Sequence, residues 1–189
     1  MGEIRKATAA EQREWDLEQQ DPRFLAWVGR QADEVAHFLA EDVPAVGALK
    51  DPYSVDGLQL AVSVARNELY YPDYRAVLAP ENAAQVERFG RFAGEVFIRN
   101  FEGEWVNSPS EGPFDIDIWP MVRCQGLLAN IGVLGQVKIA VGEGHVKGEP
   151  AMPEGNMVWL YNNAKRRYLE WAEAGRPDAA EWSKKKLGI

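Results

Sequence analysis

The chain has 189 residues, 46% hydrophobic and 26% charged, the balance of one soluble globular domain with its own core and too short for two comfortable ones. Its 21 lysines and arginines against 29 aspartates and glutamates give a net charge of −8, which disfavours a general nucleic-acid binder, because such a protein sets a basic face against phosphates. A single cysteine, Cys124, excludes an internal disulfide framework and a cysteine-based zinc site, and the longest uncharged stretch, Cys124 to Val137, is too short and glycine-rich to cross a bilayer.

Met1 to Gln20 is polar and helical in pattern rather than a charged-then-apolar leader, so a soluble, cytoplasmic protein is expected. Thr8 followed by Glu11 reads as a capping box that starts a helix carrying Trp15 and Leu17. Asp21-Pro22 reads as an N-cap with proline at the first helical position. Behind it Phe24, Leu25, Trp27, Val28, Val35, Phe38 and Leu39 share one broad face, and Val43-Pro44 ends that helix. Asp51-Pro52 or Ser54 begins another, with Leu58, Ala61, Val62, Ala65 and Leu69 inward, closed by Tyr71-Pro72. Pro80 opens the longest stripe of the chain: Val86, Phe89, Phe92, Ala93, Val96, Phe97 and Phe101. Gly90 and Gly94 lie four apart within it. Each costs about 1 kcal/mol against alanine in a helix, so they predict close approach of another element and a central helix, stopped by Glu102-Gly103.

After residue 103 the character changes. Trp105-Val106 begins a strand and Asn107 to Pro113 is dense in turn residues. Phe114 to Ile118 alternates apolar and acidic side chains, which predicts a half-buried strand with Asp115 and Asp117 outward, ended by Pro120. Met121 to Ile131 fits helix or strand, and Val137 to Val141 is a second strand candidate. A helix from Asn156 to Ala174 carries Met157, Tyr161, Ala164, Tyr168, Trp171 and Ala172. Gly175-Arg176-Pro177 breaks it, and Asp178 caps a short terminal helix through Trp182. The sum is an α+β fold, mostly helical, with a small antiparallel sheet in the second half: helical over 1–103, hairpin and sheet over about 104–141, an exposed loop over 142–155 and C-terminal helices over 156–186.

Chemistry-bearing motifs are few. Gly142 to Gly148 narrowly misses a dinucleotide fingerprint, Glu143 in its turn would repel a pyrophosphate, and no P-loop occurs, so no cofactor is expected. His37 and His145 form no His-Glu-x-x-His pattern, and His37, beside the apolar face of its helix, reads as a satisfied or rim histidine. Asp115 and Asp117 project to one side of a strand and with Glu95 or Glu104 offer the oxygen ligands of magnesium or calcium; a solvated outer face is the plainer reading. Cys124 and His145 make a nucleophile and base only if the fold joins them, while Leu127 and Leu128 favour a small buried thiol. Of seven tryptophans, Trp27, Trp159 and Trp171 read as core anchors. Trp105 and Trp119 flank the hairpin, and Trp119 alternates onto the side of Asp115 and Asp117. Trp105, Asp115, Asp117 and Trp119 thus form a candidate recognition patch, with packing under the C-terminal helix as the competing role. Charge is uneven: residues 165–189 hold seven basic and four acidic side chains, while the preceding 164 hold 14 and 25, net −11.

The segment Arg91-Phe92-Ala93-Gly94-Glu95-Val96-Phe97-Ile98-Arg99-Asn100-Phe101, then Gly103-Glu104-Trp105-Val106, resembles a motif of bacterial domains of unknown function: a Gly-Glu-x-x-x-Arg helix, a glycine turn, and Glu/Lys-Trp opening a strand. Pro120 matches the proline that often follows in that group, so the resemblance covers Phe89 to Pro120. It implies architecture only, a long helix feeding an antiparallel hairpin. Glu95 and Arg99 stand i,i+4 on that helix, as a structural ion pair or a ligand site.

The function expected is a non-enzymatic acidic interaction protein, an immunity-type inhibitor or accessory subunit that binds a basic protein partner without nucleic acid, membrane or cofactor. The alternative is a metal-assisted hydrolase or small-ligand-binding domain using Glu95, Asp115 and Asp117. Self-association through the helices is a third reading.

Overall fold

Local cap chemistry sets most helix boundaries. The Thr8 hydroxyl accepts the Glu11 N–H at 3.2 Å and the Glu11 carboxylate accepts the Thr8 N–H at 2.7 Å, which starts α1 (Ala9–Gln19). The Asp21 carboxylate accepts the Arg23 N–H at 2.8 Å and starts α2 (Pro22–Gly29). The chain is described over residues 8–113, 116–142 and 155–188 in this computed structural model. The single helix expected behind Asp21 breaks at Arg30. It resumes as α3 (Gln31–His37), widens into a π turn over Phe38–Asp42, and Pro44 opens the short α4 (Pro44–Gly47). Ser54 caps α5 (Val55–Val64) by accepting the Gly57 N–H, and a π turn over Ala65–Leu69 leads to a cis Tyr71–Pro72 bond.

The long helix α6 (Ala83–Asn100) follows two 3₁₀ turns and is the centre of the molecule: α3, α5, α7 (Val133–Gly142), α8 (Asn156–Glu173) and both strands pack on it. Its buried face is the predicted one, with Phe89 and Phe92 each stacked 5.2 Å from Phe38. The two glycines do what their spacing implies. A Cβ at Gly90 would collide with the Leu134 side chain of α7, and one at Gly94 with the Trp105 indole.

Glu102, at φ +49°, turns the chain out of α6 into β1 (Glu104–Asn107), which pairs antiparallel with β2 (Pro120–Arg123). The register sets Glu104 opposite Arg123, Trp105 opposite Val122, Val106 opposite Met121 and Asn107 opposite Pro120. The mostly helical α+β expectation therefore holds, with a smaller and displaced sheet. Pro120 opens the second strand instead of ending it, and Ile116 to Ile118 lies outside any strand; Phe114 and Asp115 fall outside the described residues. The physical reason is Asn107. Its side-chain oxygen takes the Trp119 N–H at 2.8 Å, and the Ser108 N–H bond to the Trp119 carbonyl at 3.0 Å is the last backbone bond across the ribbon, so the ladder ends there. Proline is tolerated as the first residue of a strand, where its missing N–H is not needed.

The segment Met121 to Ile131 is a strand and then a turn, with Ile131 bridging back to Val122. Val137 to Val141 is helical, within α7, not a strand. Val133, Val137, Ala140 and Val141 are all buried, and that four-three-one spacing is a helix face whose burial against α6 overrides the β propensity of valine. Of the loop expected over 142–155, residues 143–154 lie outside the described residues. Asp178 accepts the Glu181 N–H at 2.9 Å to start α9 (Ala179–Leu187), which ends one residue past the expected 186. Trp182 is buried, and its Nε1 donates to the Gly126 carbonyl at 2.7 Å. Among the described residues no helix is long and apolar enough to cross a membrane.

Gly94→Ala is expected to destabilise the protein by about 1–3 kcal/mol through overpacking against a rigid indole, despite a helix-propensity gain of about 1 kcal/mol. Gly90→Ala should cost less, because the end of Leu134 can turn aside. Urea unfolding of both variants checks the order.

Candidate functional site

Arg91 interrupts the apolar face of α6, one helical turn from Glu87 on one side and Glu95 on the other. Its side chain has 0% exposure. Nε and Nη2 donate to Glu87 Oε1 at 3.0 and 2.8 Å, and Nη1 donates to the Trp27 carbonyl at 2.9 Å and to Gln31 Oε1 at 3.1 Å. The guanidinium carbon lies over the Trp27 indole, 3.6 Å from the ring centroid. Gln31 Nε2 reaches back to the Arg91 carbonyl at 3.1 Å and to Glu95 Oε1 at 3.2 Å. Burial pulls the Arg91 pKa below the ordinary arginine value, and Glu87 opposes that pull. The Trp27 carbonyl belongs to the last turn of α2, so a side chain of α6 caps α2 where it breaks before α3.

This cluster determines where the predicted site residues lie. Glu95 and Arg99 form the expected i,i+4 ion pair at 2.9 Å, and Arg99 also lies 3.7 Å over the Tyr53 ring. Trp105 is turned inward, edge-on to Trp27 at 4.9 Å and against Gly94, with its Nε1 buried and without a hydrogen-bond partner. Asp117 is exposed and pairs with Arg23 at 2.5 Å. Trp119 is half-buried and lines a small cleft with Leu78, Leu134 and Lys138. Asp115 lies outside the described residues. The structure thus places Trp105 in the packing around α6, apart from an outward recognition patch.

The described carboxylates considered as metal ligands each hold an arginine: Glu95 with Arg99, Asp117 with Arg23, and Glu104 with Arg123 at 2.9 Å. Among the described residues no group of three or more His, Cys, Asp and Glu side chains is placed to hold a metal ion. Cys124 is buried, with Sγ 3.9 Å from the Phe97 carbonyl, and burial pushes its thiol up to about 12. His145 lies outside the described residues, and His37 is exposed on α3. Trp27 and Trp171 are core anchors as expected, whereas Trp159 is 42% exposed.

A different surface was missed by reading the sequence for apolar faces. None of the eleven residues of α1 is buried. The helix is fastened by polar groups at its C-terminal end. Gln19 Nε2 donates to the Asn107 carbonyl and Gln19 Oε1 accepts the Asn107 N–H, both at 2.8 Å, while Asn107 Nδ2 donates to the Glu18 carbonyl at 3.1 Å. Trp15 lies over Arg123, 5.5 Å from its guanidinium. Four acids and one arginine give α1 a net charge of −3. Partial burial, and then the charge of Glu14, raise the Glu18 carboxyl above its ordinary value. The i,i+4 spacing of Glu14 and Glu18, two like charges on one helix face, was the available signal.

Arg91→Lys keeps the charge but loses the flat fork that serves Trp27, Gln31 and Glu87 at once; it should lower stability by about 2–3 kcal/mol, seen as a lower urea midpoint. Native Cys124 is expected to resist iodoacetamide at mildly alkaline pH and to react once denaturant opens the core, which intact-mass measurement would show. Compared with models of known protein families, with curated proteins and with solved structures, the chain matches none.

Proposed function

We propose that the protein is a non-enzymatic interaction domain whose acidic N-terminal helix docks a basic segment of a partner protein, as an inhibitor or accessory subunit does. The observation that carries this reading is α1, which buries none of its residues. An eleven-residue helix is marginal in water by itself, and helices in proteins draw most of their stability from burying an apolar face. Here a capping box and the Gln19–Asn107 bonds hold the helix, and Glu14, Asp16 and Leu17 stay in solvent, with Leu17 71% exposed. An acidic surface carrying a leucine suits a basic partner with an apolar contact, and the net charge of −11 over the first 164 residues steers such a partner in.

Glu18 adds a proton linkage. Its raised folded-state pKa makes its contribution to stability fully present below its unfolded pKa and lost as pH rises through the folded value. A cation placed beside Glu14 and Glu18 removes the repulsion and draws that pKa back down. Binding therefore releases protons in the carboxylate titration range, and affinity falls as pH drops through it.

The test is quantitative capture from host lysate with wild type and with a Glu14→Lys/Asp16→Lys variant, each first shown to keep its melting temperature. A stoichiometric protein companion should bind the wild type and bind the variant about tenfold or more weakly, with the loss largely in association rate and reduced by salt. A companion that binds both equally, across the same salt series, places the interface elsewhere and defeats the reading.

A further inference from the structure

Between α8 and the turn that follows β2 lies an open cleft of about 320 Å³, on elements that take no part in α1 or its anchorage. Leu127, Leu128 and Ile131 line it from the turn. From α8 come Trp159, Asn163 and Arg167, a stripe at four-residue steps that extends about 12 Å along the helix. Two large apolar side chains face water here, Trp159 at 42% and Leu128 at 40% exposure. Apolar walls of this kind with a few polar groups are the usual make-up of a small-molecule site, and the volume sits at the low end of the roughly 300–1,000 Å³ range of such sites.

Arg167 is the one charged residue among those lining the cleft. It is half-buried, and its Nε donates to Asn163 Oδ1 at 3.3 Å. The adjacent Arg166 points to a different partner, pairing with Glu170 at 3.3 Å. A partly desolvated guanidinium beside leucines and an indole is complemented best by a carboxylate, whose two oxygens match the guanidinium fork. The indole supplies a flat apolar surface for the rest of the ligand. A phosphate would meet a single cation and otherwise apolar walls, which is poor compensation for its charge.

We infer that this cleft binds a small organic monocarboxylate, with the carboxylate on Arg167 and a ring-sized apolar body between Trp159 and the Leu127–Ile131 turn. The volume suits one ring and a short chain rather than a length of peptide.

The experiment is an amide NMR titration of the full chain with three probes, 3-phenylpropionate, indole-3-acetate and hexanoate, each beside its neutral primary amide. At least one acid should produce saturable shifts confined to residues 127–132 and 159–167. Its amide should bind about tenfold more weakly or worse, and Arg167→Gln should weaken the acid by about tenfold with the melting temperature unchanged. Arg167→Lys should recover part of the loss, and Trp159→Ala should weaken acid and amide alike. Absence of saturation at millimolar acid for all three probes, equal binding of acid and amide, or undiminished binding by Arg167→Gln would each overturn the inference. Should an acidic peptide saturate the cleft while the three acids fail, the site is a protein-docking groove and the inference is equally lost.

Discussion

A guanidinium without exposed surface can persist in a protein only if the surrounding groups replace the water it has lost. Arg91 meets that condition with groups from three helices. Glu87 of its own helix accepts from two of its nitrogens, and the carbonyl of Trp27 and the amide of Gln31 accept from a third. The constraint runs outward from there. Trp27 must present both its carbonyl and its ring face, which fixes the end of α2 and the break at Arg30. Trp105 then packs edge-on to Trp27 over a position on α6 that has to be glycine. This side chain and the rings around it tie α2, α3 and α6 to Trp105 of β1, beside the separate Gln19–Asn107 link from α1.

Features carried by neighbouring residues were legible in the sequence. Thr8 with Glu11, Asp21 with Pro22, Ser54 and Asp178 all cap as their residue types require, since a cap is completed within three residues. The Gly90–Gly94 spacing announced close contacts but not their partners. What could not be read are features set by distant groups. Two acceptors of Arg91 are 64 and 60 residues away, and only Glu87, four residues away, is a neighbour in sequence, so its burial left no local signal. The alternation through Asp115 and Asp117 suggested a strand, but strand onset is decided by the Asn107 side chain holding Trp119. Trp105 looked like an outward recognition residue because its side depends on a register that only this pairing defines. Within the candidate site, the Glu95–Arg99 pair was readable, whereas α1 was passed over because none of its residues is fully buried, with only Trp15, Glu18 and Gln19 half-buried.

Arginine shapes the charge pattern as much as the excess of acids does. Arg23, Arg99 and Arg123 pair with Asp117, Glu95 and Glu104, and Arg176 pairs with Glu102 at the turn between α6 and β1. Pairs this exposed contribute little to stability, but they remove concentrated negative charge from that end of the molecule. Among the described helices, α1 is net acidic and α9, with Lys184, Lys185 and Lys186 in its last turn, is net basic. The first and last described helices therefore carry opposite net charge.

The Gln19 amide occupies the outer side of Asn107 in the way a neighbouring β-strand would, with one donor and one acceptor at 2.8 Å each. A two-stranded ribbon has two unsatisfied margins, and such margins are templates for unwanted pairing between chains. Val122 covers one by bridging to Ile131, and Gln19 covers part of the other. The helix that offers its acids to solvent is thus also a guard against ribbon-to-ribbon aggregation. Any event that lifts α1, whether proteolysis near Asp21 or a partner that pulls rather than docks, uncovers the backbone of Asn107 to other chains.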